Sequence, residues 1–305
     1  MDARRSGPGG STMPSDSAAT HPCLNVRRQG KEPIVPFKRH LRKPVACGLA
    51  AILALSGMTQ AGAAIAESSK SFNADYAVSI FGLTVARSRF TSHISDRGFQ
   101  LEGSISSAGI ASFFDDTKAT TVASGRFSKG ETQPDAYSVS YTYGKKAKKT
   151  TLDFNKGNVS NVTNTPPLEK RGKDWVPVSA KDLVAVTDPI SAVLVRAPSI
   201  GQVCSRTIKV FDGEMRADLK LTPVGTGPVD LGAYRGEAAV CSGKFVPVAG
   251  YRPGNKSIRY LKDRSKIRIT FAQLGQTGVY APIHATVSTQ IGTVTFHARR
   301  LEAAQ

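Results

Sequence analysis

Phe72-Asn73-Ala74-Asp75-Tyr76-Ala77-Val78-Ser79-Ile80 is the stretch on which the fold turns. Apolar side chains at 72, 74, 76, 78 and 80 alternate with Asn73, Asp75, Ala77 and Ser79, the period of two that gives a β-strand one apolar face. Phe99, Leu101, Gly103 and Ile105 repeat the pattern after the turn-like Ser95-Asp96-Arg97-Gly98, and Tyr137, Val139, Tyr141 and Tyr143 repeat it against Ser138, Ser140 and Thr142. Further strands are predicted over 150–154, 207–211, 216–224, 234–240, 267–274, 279–289 and 293–298. Turn signals separate them at Asn155-Lys156-Gly157-Asn158, Phe211-Asp212-Gly213 and Gln290-Ile291-Gly292.

Two short helices are expected, at 108–114 and at 190–196. Asp188 would cap the second and Pro189 would occupy its first turn. Between them, 161–181 reads as a long loop carrying Pro166-Pro167, Pro177 and the single tryptophan, Trp175. About ten antiparallel strands with one apolar face must cover that face or close upon themselves. The fold class is therefore mainly β: a large curved antiparallel sheet, either an open half-barrel with a helix in its mouth, a closed barrel or a sandwich. Two half-sheets would meet around 161–190. Thr84, Ala86 and Ser88, alternating with Val85, Arg87 and Arg89, suit a tightly curved sheet or one leaving room for a ligand.

Upstream of the strands lies an export signal of the Sec type, over 38–66. Lys38, Arg39, Arg42 and Lys43 precede an uncharged run, 45–55, as long as a signal h-region. The run is too short for a transmembrane helix, which needs roughly 20 apolar residues. Small residues at Ala61-Gly62-Ala63 and Ala64-Ile65-Ala66 predict cleavage after Ala63 or Ala66. Residues 1–37, rich in Gly, Ser, Pro and Arg, read as a disordered lead or as the product of a start codon placed too far upstream. The mature β domain then spans 67–305 and works in the bacterial periplasm, with no stable transmembrane anchor.

Export changes what the charge means. The whole chain has 41 Lys and Arg against 23 Asp and Glu, a net of +18. Cleavage after Ala66 removes nine basic and three acidic residues and leaves +12. Nucleic acid is thereby disfavoured as a partner, and anionic lipid headgroups, lipopolysaccharide phosphates or acidic glycans are favoured. Cys23 and Cys47 leave with the signal, so Cys204 and Cys241 remain as an even pair in an oxidising compartment, where a disulfide is expected.

Tyr76-Ala77-Val78-Ser79-Ile80-Phe81-Gly82-Leu83-Thr84-Val85-Ala86 resembles the opening of exported bacterial proteins of the domain-of-unknown-function 3108 family, which begin with a Y-x-V-x-x-x-G-L-x-V-G/A strand pair. Residues 109–114, Asp188-Pro189-Ile190-Ser191-Ala192, Val210-Phe211-Asp212-Gly213 and Ile291-Gly292-Thr293-Val294 are similar in the same order. The resemblance implies a periplasmic, mainly antiparallel β protein over 71–298, and carries no activity with it.

Catalytic motifs are lacking: there is no nucleophile elbow, H-E-x-x-H, P-loop or dinucleotide glycine pattern. His284 and His297 fall on the polar side of their strands, and Asp115-Asp116 reads as turn decoration. Asp212-Gly213 reads as a hairpin turn. The basic features carry more. Lys145, Lys146, Lys148 and Lys149 sit at a hairpin tip, and Lys256, Arg259, Lys262, Arg264, Lys266 and Arg268 form a second cluster; both are candidate anion-binding groups. The expectation is a non-enzymatic envelope protein that binds a lipid or polysaccharide, without metal or cofactor. A hydrolase of envelope polymer using Asp212 or His284, and a structural or assembly partner without a small ligand, are the alternatives.

Overall fold

A computed structural model describes residues 69–304 apart from 114, 115 and 129. The lead, the signal segment, Ala63, Ala66, Cys23, Cys47 and Asp115 lie outside the described residues. Fourteen strands are present: β1 (Lys70–Ile80), β2 (Leu83–Ile94), β3 (Gly98–Ser107), β4 (Lys118–Ser128), β5 (Glu131–Tyr143), β6 (Lys146–Asn155), β7 (Asn158–Thr165), β8 (Val195–Arg196), β9 (Arg206–Phe211), β10 (Arg216–Asp230), β11 (Arg235–Ala249), β12 (Ile267–Gln273), β13 (Val279–Thr289) and β14 (Gly292–Ala303). All belong to one antiparallel sheet, ordered β7-β6-β5-β4-β3-β2-β1-β14-β13-β12-β11-β10-β9, with the two-residue β8 against β13. First and last strands meet in its middle, from Phe72 opposite Ala303 to Ile80 opposite Val294, and hairpins run outward on both sides. The sheet is large and curved but not closed: neither a sandwich nor a complete barrel forms.

The alternation seen in sequence is what builds the core. Phe72, Ile94, Phe99, Leu101, Tyr137, Leu152 and Phe154 from the first seven strands bury in one cluster with Phe211, Val279 and Ala281 from the last six and with Leu274 just past β12. A second cluster, around Val195, Val203, Leu221, Phe271 and Tyr280, surrounds a disulfide between Cys204 and Cys241, whose Cα atoms are 5.3 Å apart. It joins the turn before β9 to the middle of β11, the pairing expected for these two cysteines.

The edge strands β7 and β9 face one another across a strap, residues 185–187. The Val186 N–H donates to Gly157 O at 3.0 Å and the Ala185 N–H to Asn158 Oδ1 at 3.0 Å, on the β7 side. The Thr187 N–H donates to Lys209 O at 2.8 Å, and the Phe211 N–H returns to Thr187 O at 2.9 Å, on the β9 side. Farther along the same seam Asn164 Nδ2 donates to Gly213 O at 3.1 Å. Bridging both edges this way satisfies backbone groups that would otherwise template aggregation.

Several sequence expectations need correction. The predicted helix over 190–196 is a single 3-10 turn, Ser191–Val193, after which Val195 and Arg196 become β8. Asp188 does cap that turn, accepting from the Ile190 and Ser191 N–H groups at 2.9 and 2.8 Å. The helix stops because Leu194 and Val195 are drawn into the core, and Val195 and Arg196 pair with β13 rather than continuing a helical face. The expected helix over 108–114 is likewise a 3-10 turn, Gly109–Phe113. The α-helix among the described residues, α1 (Lys256–Asp263), stands where sequence suggested only a charge cluster. Its cap is Asn255, whose Oδ1 accepts from the Ile258 N–H at 3.1 Å. Strand β7 occupies the start of the expected long loop.

Candidate anion-binding groove

Strands β5 and β6 form the first wall of the candidate site. In their pairing Tyr141 opposes Lys148 and Ser140 opposes Lys149. The hairpin thus sets Lys148 Nζ over the Tyr141 ring, 6.0 Å from its centroid. Moving along β5 from Tyr137 through Tyr141 to Tyr143, the exposed fraction climbs from 6% to 36% to 53%. The apolar face is dry at one end of the sheet and uncovered at the other, where the lysines are.

The second wall is the segment that leaves β7. After Thr165 it passes through Pro166 and Pro167, which lack backbone N–H donors and end the strand. It then returns to the sheet at Val176, whose N–H donates to Tyr251 O at 2.9 Å while the Gly250 N–H donates to Val176 O at 2.8 Å. This clamp places Trp175 between two guanidinium groups, Arg171 at 4.2 Å and Arg252 at 5.3 Å from its ring. Acidic partners orient both arginines: Glu214 lies 2.6 Å from Arg171, and Asp174 lies 3.2 Å from Arg252. A guanidinium over an aromatic face points its N–H donors in the ring-parallel plane, and those that Glu214 and Asp174 do not take can meet a planar or tetrahedral anion.

Together these elements enclose a groove of about 460 Å³. Lys148, Lys149, Lys170, Arg171 and Arg252 line it against Glu169 and Glu214, so five cations face two carboxylates. The arrangement has the means to hold an anion: fixed aromatic surface, two oriented guanidinium groups and mobile ammonium groups at the rim.

The ten basic residues singled out from sequence divide accordingly. Lys148 and Lys149 line the groove; Lys145 and Lys146 are exposed at the neighbouring hairpin tip. Lys256, Arg259 and Lys262 recur every three residues along α1, Arg264 caps its C-terminus, Lys266 follows, and Arg268 lies on β12; all six are exposed. They do not line the groove, but the connection that carries α1 also supplies Arg252. Arg171, Trp175 and Arg252 were missed as a group because nothing in the linear sequence signals that 171–176 and 250–252 touch. A second polar groove of about 590 Å³, between Arg87, Arg89, Arg299 and the serines 88, 104 and 106, was also unread; there Arg89 Nε donates to Asp75 Oδ1 at 2.8 Å.

The residues considered for hydrolysis are otherwise engaged. Asp212 Oδ1 accepts from the Glu214 and Met215 N–H groups at 2.8 and 2.6 Å, which is the work of a turn. His284 opposes His297 across β13 and β14, their rings 5.8 Å apart. Burial and the neighbouring His297 hold the His284 pKa below the ordinary imidazole value. Two strands, β11 and β12, lie between the strand pair of Asp212 and that of His284. Asp116 is exposed and 3.5 Å from Lys118.

Compared with known families, residues 71–299 match the one described as "Protein of unknown function (DUF3108)". The chain belongs to the DUF3108 family. Among curated proteins nothing matches this DUF3108 chain. Among solved structures it is similar to a beta-barrel-like protein of domain of unknown function DUF1849 from Brucella abortus, at 9% identity and a TM-score of 0.46, covering 77% of this chain and 98% of that one. It is also similar to the hypothetical protein CT021 from Chlamydia trachomatis, at 13% identity and a TM-score of 0.27, covering 76% and 89%. No helix among the described residues is long and apolar enough to cross a membrane.

Proposed function

We propose that this DUF3108 protein is a non-enzymatic binding protein of the bacterial periplasm, and that the Trp175 groove takes an anionic envelope molecule, a phosphate-bearing lipid headgroup or an acidic polysaccharide. The observation that carries the reading is Trp175 held between Arg171 and Arg252 with Lys148 and Lys149 opposite. Placement in the periplasm is supported by the signal-like segment 38–66 and by the Cys204–Cys241 bridge.

Because Trp175 is the single tryptophan, its emission reports on the groove alone. Titration with soluble polyphosphate should shift or quench that emission in a salt-dependent way. A Lys148→Ala, Lys149→Ala, Arg252→Ala triple variant should bind about a hundredfold more weakly, each lost charge-assisted contact contributing about 1 kcal/mol. Unchanged emission at saturating polyphosphate and acidic glycan would sink the reading.

A further inference from the structure

Consecutive strands of the sheet run antiparallel, so alternate connections gather at the same end. One end collects the β1–β2 turn at Phe81-Gly82, the β5–β6 turn at Gly144-Lys145, the β13–β14 turn at Gln290-Ile291, and the β11–β12 connection with α1. Ser257 Oγ donates to Gln290 Oε1 at 3.1 Å, tying α1 to the β13–β14 turn.

Two of these turns hold apolar side chains out to solvent. Phe81 is 78% exposed and Ile291 68%, with Leu83 exposed beside them. The turns adjoin, because Ile80 opposes Val294, and a Cβ on Gly292 would come within 2.6 Å of Phe81 Cζ. The aromatic ring therefore lies over the glycine with its outer face uncovered. Phe81 and Gly82 have φ of +52° and +79°. That is the two-residue hairpin turn whose first position suits Asn or Gly, and a bulky aromatic side chain is disfavoured there. Neither turn chemistry nor core packing asks for phenylalanine at this position. A strained residue that is also exposed points to a task outside folding.

Exposed cations flank these tips. Lys145 and Lys146 stand on the β5–β6 turn, and Lys256, Arg259, Lys262 and Arg264 on and beside α1. Apolar tips with exposed cations at the same end of the sheet are complementary to an anionic bilayer, whose headgroups carry the opposite charge and whose acyl boundary accepts aromatic and aliphatic side chains. We infer that this end of the sheet docks on an anionic lipid surface, with Phe81, Leu83 and Ile291 entering the acyl boundary and the surrounding lysines and arginines meeting lipid phosphates. The docking surface lies outside the Trp175 groove, so either can fail while the other holds.

Sedimentation with vesicles tests it, using the protein as recovered from a bacterial host. The wild type should pellet with vesicles of mixed phosphatidylglycerol and phosphatidylcholine, lose that binding at high salt, and stay in solution with phosphatidylcholine alone. Phe81→Asn should weaken vesicle binding about tenfold or more, the loss expected when one aromatic side chain no longer enters an apolar phase. Its thermal midpoint should be no lower than wild type, because Asn suits the left-handed turn, and its Trp175 response to polyphosphate should be unchanged. Ile291→Asn should weaken vesicle binding likewise. Wild-type vesicle binding by both variants, equal pelleting with neutral vesicles, or a chain that self-associates through Phe81 and ignores vesicles would each overturn the inference.

Discussion

Asp188 and Ser191 are joined on one side only: the Ser191 N–H donates to Asp188 Oδ1 at 2.8 Å, while Asp188 Oδ2 and Ser191 Oγ, both buried, go without a hydrogen-bond partner. Burial pushes the Asp188 carboxyl pKa above its ordinary 3.8, and the nearby Ser191 hydroxyl and backbone N–H groups oppose that without cancelling it. A carboxyl raised in the folded state contributes stability that is complete below the unfolded value and is lost as pH rises through the folded one. Asp188→Asn keeps an acceptor for the two N–H groups and removes the buried charge. Its thermal midpoint at neutral pH should equal or exceed wild type, with a flatter pH dependence above 3.8. Asp188→Ala loses the cap as well and should cost about 1–2 kcal/mol. Denaturant melts at several pH values separate the two variants.

His284 works with the opposite sign. Its pKa is depressed by burial and by His297, so the unfolded chain takes up a proton first as pH falls. Stability should begin to drop as pH falls past the unfolded value near 6.5 and level off below the folded pKa. His284→Asn should flatten that slope while leaving stability at pH 8 nearly unchanged. NMR titration of the His284 imidazole gives an independent reading, with its midpoint below the ordinary 6.5.

Reduction of the Cys204–Cys241 bridge, or its replacement by two alanines, should be among the most costly changes. The bridge closes a loop across 37 positions, and removing it should cost about 4 kcal/mol in the loop-entropy account. The expected outcome is a large fall in the urea midpoint with strand content intact in buffer, seen by circular dichroism.

Gly213 is a position where size matters. Its φ is +96°, and a Cβ there would come within 2.4 Å of Thr150 Cγ2 on β6, across the seam. Gly213→Ala should therefore cost about 1–3 kcal/mol, from overpacking and from the backbone conformation together. Thr150→Ser removes the methyl and keeps the hydroxyl that donates to Asn164 Oδ1 at 2.7 Å. Adding it to Gly213→Ala should recover part of the loss, the part due to overpacking. A double-mutant cycle without coupling would show the two residues to be independent.

What sequence made legible follows from how each element is stabilised. Strands such as β1, β3 and β5 were readable because one face carries large apolar residues at every second position. Strand β4, Lys-Ala-Thr-Thr-Val-Ala-Ser-Gly-Arg-Phe-Ser, was not, since Ala123 and Thr121 fill its buried positions and small residues give little periodic contrast. Strand β7 is an edge rich in Asn and Thr, and it escaped for the same reason. Helix α1 is eight residues long, and its charges, which drew notice as a patch, masked the short apolar side formed by Ile258 and Leu261. The disulfide was predictable by arithmetic once Cys23 and Cys47 were set aside with the expected signal segment. The groove was half legible: its lysines lie in one hairpin, whereas Arg171, Trp175 and Arg252 meet only because Val176 is clamped to Tyr251.

The strap at 185–187 has a mechanical meaning. Where other strands are neighbours they share many backbone bonds, but β7 and β9 are held to each other through a few bonds to a shared segment and the Asn164 side chain. Parting β7 from β9 would break those bonds and the core cluster that Leu152 and Phe211 share, while every ladder stayed intact, much as a ring with a single split opens at the split.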